Sequence, residues 1–218
     1  MFNSSSDDDT VVDYDEEIKV VVLGESGVGK SNIINRYNGG QFDPNSVPNN
    51  SSFFMSKNLK FGEKVYRINL WDTAGQEKYH SLTKIFLNEA KIAVLIYAIN
   101  DKASFENLDI WLKDLKKDAS PDIKTILIGN KCDLESERKI KKFVAETYAK
   151  DFGFLNFFET SAKTGFNSQK VFINSALILY EDYKQYEKQG RIGYDQNEEQ
   201  SSTQLSRKKK VQKTGSCC

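Results

Sequence analysis

Short runs of apolar residues alternate with segments of helical periodicity between about Ile18 and Tyr180. This alternation is typical of a parallel sheet whose strands are joined by crossover helices. The first run, Ile18–Leu23, is continuous and rich in β-branched residues, as expected for a central strand with both faces buried. The pattern therefore predicts an α/β fold with six strands and five helices.

The other predicted elements follow the same alternation along the chain. Two adjacent strands should form a hairpin that turns at Gly62-Glu63. Apolar residues at three- and four-residue spacing after Ile99 predict a helix. The remaining predicted strands are Ser52–Phe61, Lys64–Trp71, Ile92–Ile99, Ile123–Ile128 and Leu155–Phe158, and further helices should begin near Lys30 or cover Glu137–Lys150 and about Ser168–Lys188.

The net charge of the 218 residues is zero, but the two ends of the chain carry opposite charges. The first 17 residues contain acidic side chains and no basic one, and the last 18 contain basic side chains and no acidic one. Such runs are typical of solvated tails around a folded middle. We predict a disordered acidic tail over 1–17, a folded domain over 18–180, and a segment 181–218 with the end of the last helix and a hypervariable basic tail.

Composition excludes several classes of protein. No apolar stretch approaches the roughly 18 to 20 residues of a membrane-spanning helix, and the N-terminus lacks the basic and apolar blocks of a secretory signal. The three cysteines form no evident disulfide framework, so we expect a cytosolic protein. Apart from the basic tail, nothing predicts nucleic-acid binding. No Ser-His-Asp or paired-carboxylate pattern points to another kind of enzyme.

The run from Gly24 to Ser31 fits the P-loop pattern at every fixed position. Its glycines allow successive N–H groups to point at phosphate oxygens, and the following helix adds partial positive charge. A chance match to a glycine-rich turn is the alternative, but the position between a buried strand and a helix argues against it. We expect Lys30 to reach the β- and γ-phosphates and the Ser31 hydroxyl to bind Mg²⁺. The residues predicted to contact phosphates or metal are Glu25, Ser26, Gly27, Val28, Gly29, Lys30, Ser31 and Asn32.

Two later loops indicate which base is bound. Asn130-Lys131-Cys132-Asp133 and Ser161-Ala162-Lys163 each follow a predicted strand. The Asp133 carboxylate can accept from both N1 and the exocyclic amine of guanine, whereas adenine would leave it unpaired; such a site rejects the wrong base by roughly 10⁴ or more. A polar surface loop is the alternative for either motif alone. The predicted base and ribose contacts are Asn130, Lys131, Asp133, Ser161, the N–H of Ala162, Lys163 and Phe42.

The segment that closes the strand Lys64–Trp71 contains the residues suited to sensing a γ-phosphate. Asp72 can hold Mg²⁺ through water, the N–H of Gly75 can bond the γ-phosphate, and Gln76 can orient the attacking water. With the two preceding sets of motifs, this segment resembles the Ras superfamily and specifically the Rab family. Gln76–Leu82 and Ala119–Ile123 are similar to the early-endosomal Rab subgroup. The resemblance covers roughly Ile18 to Leu179.

This resemblance implies a P-loop GTPase with a six-stranded, mostly parallel sheet and five flanking helices. It implies Mg²⁺ and GTP or GDP as bound groups, and slow intrinsic hydrolysis that an activating protein raises by about 10³ to 10⁵. The partners it implies for a monomer are an exchange factor, a GTPase-activating protein, a GDP-dissociation inhibitor, a prenylation escort and effectors. Rab effectors read an aromatic triad, which falls here on Phe54, Trp71 and Phe86. Ordinary core packing is the alternative for these three aromatics.

One position departs from the family pattern. The family places a threonine in the first switch loop, but counting from Ser31 or from Trp71 gives Asn49 there. Asn49 can ligate Mg²⁺ through its amide oxygen, Ser51 or Ser52 can replace it, or the loop senses the γ-phosphate poorly. The third alternative would make the chain a GTP-binding interaction scaffold that switches weakly, and intact Asp72 and Gln76 argue against it. The segment Phe86–Ala90 also departs from the family pattern. This departure bears on which partners the chain recognises.

The chain ends in Gly215-Ser216-Cys217-Cys218. This end resembles the di-cysteine termini on which Rab proteins carry two geranylgeranyl groups, and two lipid chains allow stable anchoring. The nearby basic residues could add about 1 kcal/mol each against an anionic leaflet. A nuclear signal or a solubilising tail is the alternative for the basic run. We expect Cys217 and Cys218 to be lipidated, with the protein on the cytoplasmic face of membranes, endosomal by resemblance, and a cytosolic pool.

Overall fold

The computed structural model of the chain describes residues 13–43, 53–73 and 80–188. The six strands within these ranges are β1 (Glu16–Leu23), β2 (Phe53–Phe61), β3 (Lys64–Asp72), β4 (Ile92–Ala98), β5 (Lys124–Asn130) and β6 (Asn156–Glu159). The α-helices are α1 (Lys30–Tyr37), α2 (His80–Leu87), α3 (Lys102–Glu106), α4 (Leu108–Asp118), α5 (Lys142–Asp151) and α6 (Ser168–Lys188).

The strands form one sheet in the order β2-β3-β1-β4-β5-β6. Strand β2 is antiparallel to β3 through the predicted hairpin, and all other neighbours are parallel. Parallel strands need crossover connections, which the helices supply. The carboxyl ends of β1, β3, β4, β5 and β6 therefore meet at one edge of the sheet. The predicted six-stranded, mostly parallel α/β sheet is confirmed.

Two helix predictions differ from the structure. The helix expected after β4 is divided at Asn107 into α3 and α4, and Asp101 caps α3 by accepting from the N–H groups of Ala103 and Ser104. The helix expected from Glu137 begins only at Lys142, because Lys141 is extended (φ −67°, ψ 139°). Glu135–Glu137 instead forms a single 3₁₀ turn.

The core lies on both faces of the central strands. All seven residues of β4 are buried, which is the pattern of a parallel strand covered by helices on either side. Trp111 and Leu115 of α4 are buried against the same face as Leu95 and Tyr97. This packing fixes the strand ends whose loops carry the predicted motifs.

Residues 180–188 belong to a second unit of the chain and carry the last turns of α6. Within it the Lys184 ammonium lies 4.5 Å from the centroid of the Tyr180 ring. Among the described residues, no helix combines the length and the apolar character needed to cross a bilayer.

Tyr97 gives a test of this core. Its hydroxyl is buried and makes no hydrogen bond within the described residues, so Tyr97→Phe should raise the free energy of unfolding by about 1 kcal/mol. Burial, and then the charge of Glu159, raise the pKa of Tyr97 above its ordinary value of 10.0. The unfolded chain therefore loses this proton first, and wild-type stability should fall as the pH rises above that value. Urea titrations at neutral and alkaline pH measure both effects.

The Tyr97→Phe variant should lose less stability than the wild type over the alkaline range. Tyr14→Phe, in which an exposed hydroxyl that donates to Glu17 at 3.3 Å is removed, is the matched control and should change the free energy of unfolding at neutral pH by less than about 0.5 kcal/mol. Equal slopes for wild type and Tyr97→Phe would contradict the assignment of the effect to Tyr97.

Candidate functional site

The loop between β1 and α1 passes unusually close to its neighbours. Gly24 has a φ of +142°, and a Cβ built on it would lie 2.2 Å from the carbonyl oxygen of Ile96. Gly29 has a φ of +99°, and its Cβ would lie 2.4 Å from Nδ2 of Asn130. Backbone conformation and space both exclude a side chain at these positions. The predicted P-loop glycines are therefore needed for the path of the loop.

Helix α1 begins at Lys30, directly after this loop. Its N-cap Gly29 is left-handed, no described side chain caps the first turn, and that turn contains no acidic residue. The first N–H groups of the helix are thus oriented toward the loop with partial positive charge. Lys30 is 4% exposed, and its Nζ donates to the carbonyl oxygens of Gly24 at 2.8 Å and Glu25 at 2.9 Å. Positive charge is concentrated here, as an anion site requires.

Asn130 joins three loops at the carboxyl edge of the sheet. Its buried Nδ2 donates to the carbonyl oxygen of Val28 in the glycine-rich loop at 2.7 Å. Its Oδ1 accepts from Oγ1 of Thr160 at 3.1 Å and from the N–H of Ala162 at 3.3 Å, both in the loop after β6. One side chain therefore uses both ends of its amide to hold the three predicted motif loops together.

Asp133 and Ser161 meet at the opening of the same site. The Ser161 hydroxyl donates to Oδ1 of Asp133 at 2.5 Å and accepts from the N–H of Thr164 at 3.1 Å. Asp133 is exposed whereas Ser161 is buried. A buried hydroxyl thus orients an exposed carboxylate, which keeps Oδ2 and a second lone pair of Oδ1 for a ligand.

The four other predicted base or ribose contacts within the described residues differ in exposure. Lys131 adopts a left-handed φ of 65° and is partly buried. Ala162 is 4% exposed, and its N–H, predicted to reach guanine O6, donates here to Asn130 over a distance at the long end for such a bond. Lys163 is exposed, and Phe42 is partly buried in the segment after α1. Their contacts with a base or ribose stay predictions.

Two of the three predicted metal ligands, Ser31 and Asp72, lie on adjacent elements. Asp72 ends β3 and is fully buried, and it is the register partner of Val22 in β1. The next residue, Thr73, donates from Oγ1 to the carbonyl oxygen of Val22 at 2.8 Å. Ser31, in the first turn of α1, is partly buried, as is its neighbour Asn32. A hydroxyl and a carboxylate are the hard oxygen donors that Mg²⁺ prefers, so this donor set fits the metal.

The three aromatic residues of the predicted triad form one cluster. The ring centroids of Phe54 and Trp71 are 5.0 Å apart and those of Trp71 and Phe86 are 6.1 Å apart, both edge to face. Phe54 is 49% exposed, which simple core packing does not explain. Beside the cluster is an open groove of about 730 Å³, which includes Lys19 and Glu89 in its lining.

Two groups of side chains were not predicted from the sequence. One lies beside the aromatic cluster and the other lies at the carboxyl edge of the sheet. Lys19 donates from Nζ to the carbonyl oxygen of Asn88 at 2.7 Å and lies 5.0 Å from the ring centroid of Trp71. Arg138 forms ion pairs with Glu135 and Glu159. The three-residue spacing of Glu135 and Arg138 was a local signal for one pair, but nothing local indicated the others.

Five predicted site residues lie outside the described ranges, and their predicted roles stay predictions. They are Asn49, Gly75, Gln76, Cys217 and Cys218.

A six-stranded sheet with a glycine-rich loop, a buried lysine and a tethered aspartate at one edge defines a P-loop nucleotide-binding domain. Comparison with known proteins narrows this class. The family model described as Ras family matches residues 19–180. The chain belongs to the Ras family and, by its relatives, to the Rab small GTPases.

The relatives are spread over distant organisms. The chain is similar to "Ras-related protein Rab-11B" of Dictyostelium discoideum, with 38% identity over 78% of this chain and 76% of the relative. "Ras-related protein Rab-2B" of the same organism is 40% identical over 74% of this chain and 80% of the relative. "Ras-related protein RABA1b" of Arabidopsis thaliana is 38% identical over 77% of each chain.

Replacement of Asn130 tests the link between the loops. Asn130→Ala leaves the carbonyl of Val28, the hydroxyl of Thr160 and the N–H of Ala162 without their hydrogen bonds to Asn130. The free energy of unfolding should therefore fall by about 2 kcal/mol. Urea denaturation at a fixed nucleotide concentration measures the change.

Asn174→Ala serves as the control for that variant. Its Nδ2 donates to the carbonyl oxygen of Lys170 within the same helix, so its loss should cost less than about 1 kcal/mol. Equal losses for the two variants would mean that Asn130 has no special role in joining the loops.

Proposed function

We propose that this chain is a GTP/GDP switch in vesicle-mediated membrane traffic, with slow intrinsic GTP hydrolysis. The observation that carries the proposal is the link made by Asn130 between the glycine-rich loop and the two base loops. It holds a phosphate cradle and a guanine-selecting carboxylate in one rigid unit. Membership of the Rab small GTPases supports the trafficking role, and the early-endosomal likeness of Gln76–Leu82 is part of the proposal.

The phosphate half of the proposal rests on Lys30 and the first turn of α1. Lys30 now donates to two carbonyl oxygens of its own loop. A bound diphosphate or triphosphate would accept from the same ammonium group and from the N–H groups of the loop. A bound Mg²⁺ would neutralise phosphate charge, and Ser31 with Asp72 would hold it. Asn49 is the third proposed ligand.

The base half rests on Asp133, whose Oδ1 is fixed by Ser161. This bond orients the carboxylate so that it can accept from two adjacent donors of guanine. Lys131 would cover one face of the base, and Phe42 would lie at the ribose edge. Hydrolysis would depend on Gln76 to orient water and on Gly75 to bond the γ-phosphate.

The proposed switch would act by binding effector proteins. The aromatic cluster, in which Phe54 is exposed and Trp71 and Phe86 are partly buried, supports a surface that effectors read. An exchange factor, an activating protein, a GDP-dissociation inhibitor and a prenylation escort complete the proposed set of partners. Lipids on Cys217 and Cys218 would anchor the protein on the cytoplasmic face of a membrane. No comparison favours the alternative of a scaffold that switches weakly.

A change of Asp133 to Asn tests the choice of base. An amide donates where the carboxylate accepts, so Asp133→Asn should weaken GDP binding by roughly 10²-fold or more and improve xanthosine diphosphate binding. Fluorescent nucleotide titrations measure both affinities. Asp151→Asn, an exposed substitution at the end of α5, is the control. Retained tight GDP binding by Asp133→Asn would count against the proposed role of Asp133.

Turnover tests the enzymatic part of the proposal. The purified chain should hydrolyse GTP slowly, and an arginine-supplying activating protein should raise the rate by about 10³-fold or more. Gln76→Leu should retain GTP binding and lose at least about tenfold in hydrolysis, because the attacking water is no longer oriented. Phosphate release in single turnover is the measurement. Unchanged hydrolysis in Gln76→Leu would show that Gln76 does not have this role.

A further inference from the structure

Arg138 lies behind the base loops and contacts both of them. Its Nη1 and Nη2 donate to the two carboxylate oxygens of Glu159 at 2.6 and 3.1 Å, a bidentate pair. Its Nε and Nη2 donate to Glu135 at distances between 2.6 and 2.9 Å. The side chains of Arg138 and Glu159 are only 14% and 13% exposed. Buried, two-point guanidinium pairs of this kind fix geometry as well as charge.

These contacts close a ring through the base site. Asp133 is bonded to Ser161, and Ser161 follows Glu159 by two residues on the strand end of β6. Glu159 is paired with Arg138, which follows Asp133 by five residues in its own loop. The carboxylate that would select guanine is therefore held at one point of the ring by a hydrogen bond and at the opposite point by an ion pair.

The outer side of this ring is attached to the sheet. Arg138 also donates from Nη1 to the carbonyl oxygen of Ile140 at 3.0 Å. The N–H of Ile140 in turn donates to the carbonyl oxygen of Ile99 at 3.0 Å, just beyond the end of β4. The position of the guanidinium is thus set by backbone contacts as well as by its two carboxylates.

The local charges explain why a cation is needed there. Glu135 and Glu159 place two carboxylates around the Arg138 guanidinium. Burial raises the pKa of the neighbouring Cys132 thiol, the charges of Glu159 and Asp133 raise it further, and Arg138 opposes them. The charges of Glu159 and Asp133 therefore both act on Cys132, and Arg138 offsets them there.

We propose that Arg138 is a positioning residue for guanine selection, which holds the Asp133 carboxylate in register with the base by bracing its loop against Glu159. This inference rests on the proposed function, since it assigns the base contact to Asp133. Arg138 does not touch the nucleotide. Its effect is predicted to appear in the choice between bases rather than only in stability.

The probe for this role is a pair of nucleotides, GDP and inosine diphosphate. Hypoxanthine keeps the N1–H of guanine but lacks the exocyclic amine, so Asp133 accepts one donor from it and two from guanine. A displaced carboxylate should therefore cost more with GDP than with inosine diphosphate. The ratio of the two dissociation constants reports the placement of Asp133, which a merely structural role would not change.

Arg138→Lys keeps the positive charge but not the planar fork that spans Glu135 and Glu159. We expect GDP binding to weaken about tenfold and inosine diphosphate binding to change about twofold. The preference for GDP, measured as the ratio of the two dissociation constants, should therefore narrow. Glu159→Gln removes the other side of the pair and should narrow the ratio in the same direction. Lys142→Met breaks the exposed 3.7 Å pair of Lys142 with Glu146 on the next helix and is the matched control.

An unchanged ratio in both Arg138→Lys and Glu159→Gln, even with a lowered melting temperature, would overturn the inference and leave the proposed function standing. An equal narrowing in Lys142→Met would also overturn it. A wild-type protein that binds neither nucleotide would remove the proposed function and this inference together. A narrowed ratio confined to the two variants supports the positioning role.

Discussion

The candidate site depends on the two-sided hydrogen bonding of one buried amide. Asn130 donates to the carbonyl oxygen of Val28 and accepts from the loop after β6. An amide side chain is suited to this because it carries donor and acceptor at fixed positions in one plane. A carboxylate at this position could not donate to Val28, and an ammonium group could not accept from Ala162. The glycine-rich loop and the loops after β5 and β6 therefore owe their relative position to an amide side chain in particular. Because Asn130 is 1% exposed, the cost of leaving its partners unpaired is not offset by water.

The topology of the sheet brings the loops that Asn130 joins to one edge. Parallel strands end at one edge, so the loops after β1, β5 and β6 lie on the same edge of the sheet before any side chain acts. Close packing between strands and loops then limits which residues fit. A Cβ on Gly129 would lie 2.6 Å from the hydroxyl of Tyr97, just as one on Gly24 would meet the carbonyl of Ile96. The small residues at the edge thus reflect both the path of the nucleotide loops and the bulk of the core beneath them.

The sequence patterns predicted the features that depend on residues close together in the chain. The continuous β-branched run Ile18–Leu23, the hairpin turn and the glycine-rich loop were evident because each depends on neighbours in sequence. The break at Asn107 was missed because the apolar spacing continues across it, and Asp101 caps α3 independently of that spacing. The pairing of Arg138 with Glu159, 21 residues apart, and the contact of Lys19 with Asn88, 69 residues apart, have no sequence signal. Such contacts follow from the arrangement of the strands in the sheet. The hydrophobic pattern along the chain does not indicate which distant side chains that arrangement brings together.

Strand β3 connects the two halves of the proposed switch. Successive residues of a strand point to opposite faces of the sheet, and here Trp71 belongs to the aromatic cluster whereas the next residue, Asp72, is buried beside β1. Thr73 then ties the end of β3 to the carbonyl of Val22, one residue before Leu23 and the glycine-rich loop. A shift of this strand end would therefore act both on Trp71 in the aromatic cluster and on the bond from Thr73 to Val22. A ligand can bias such an element only by its differential affinity for two arrangements, and the short distance along β3 makes that coupling physically direct.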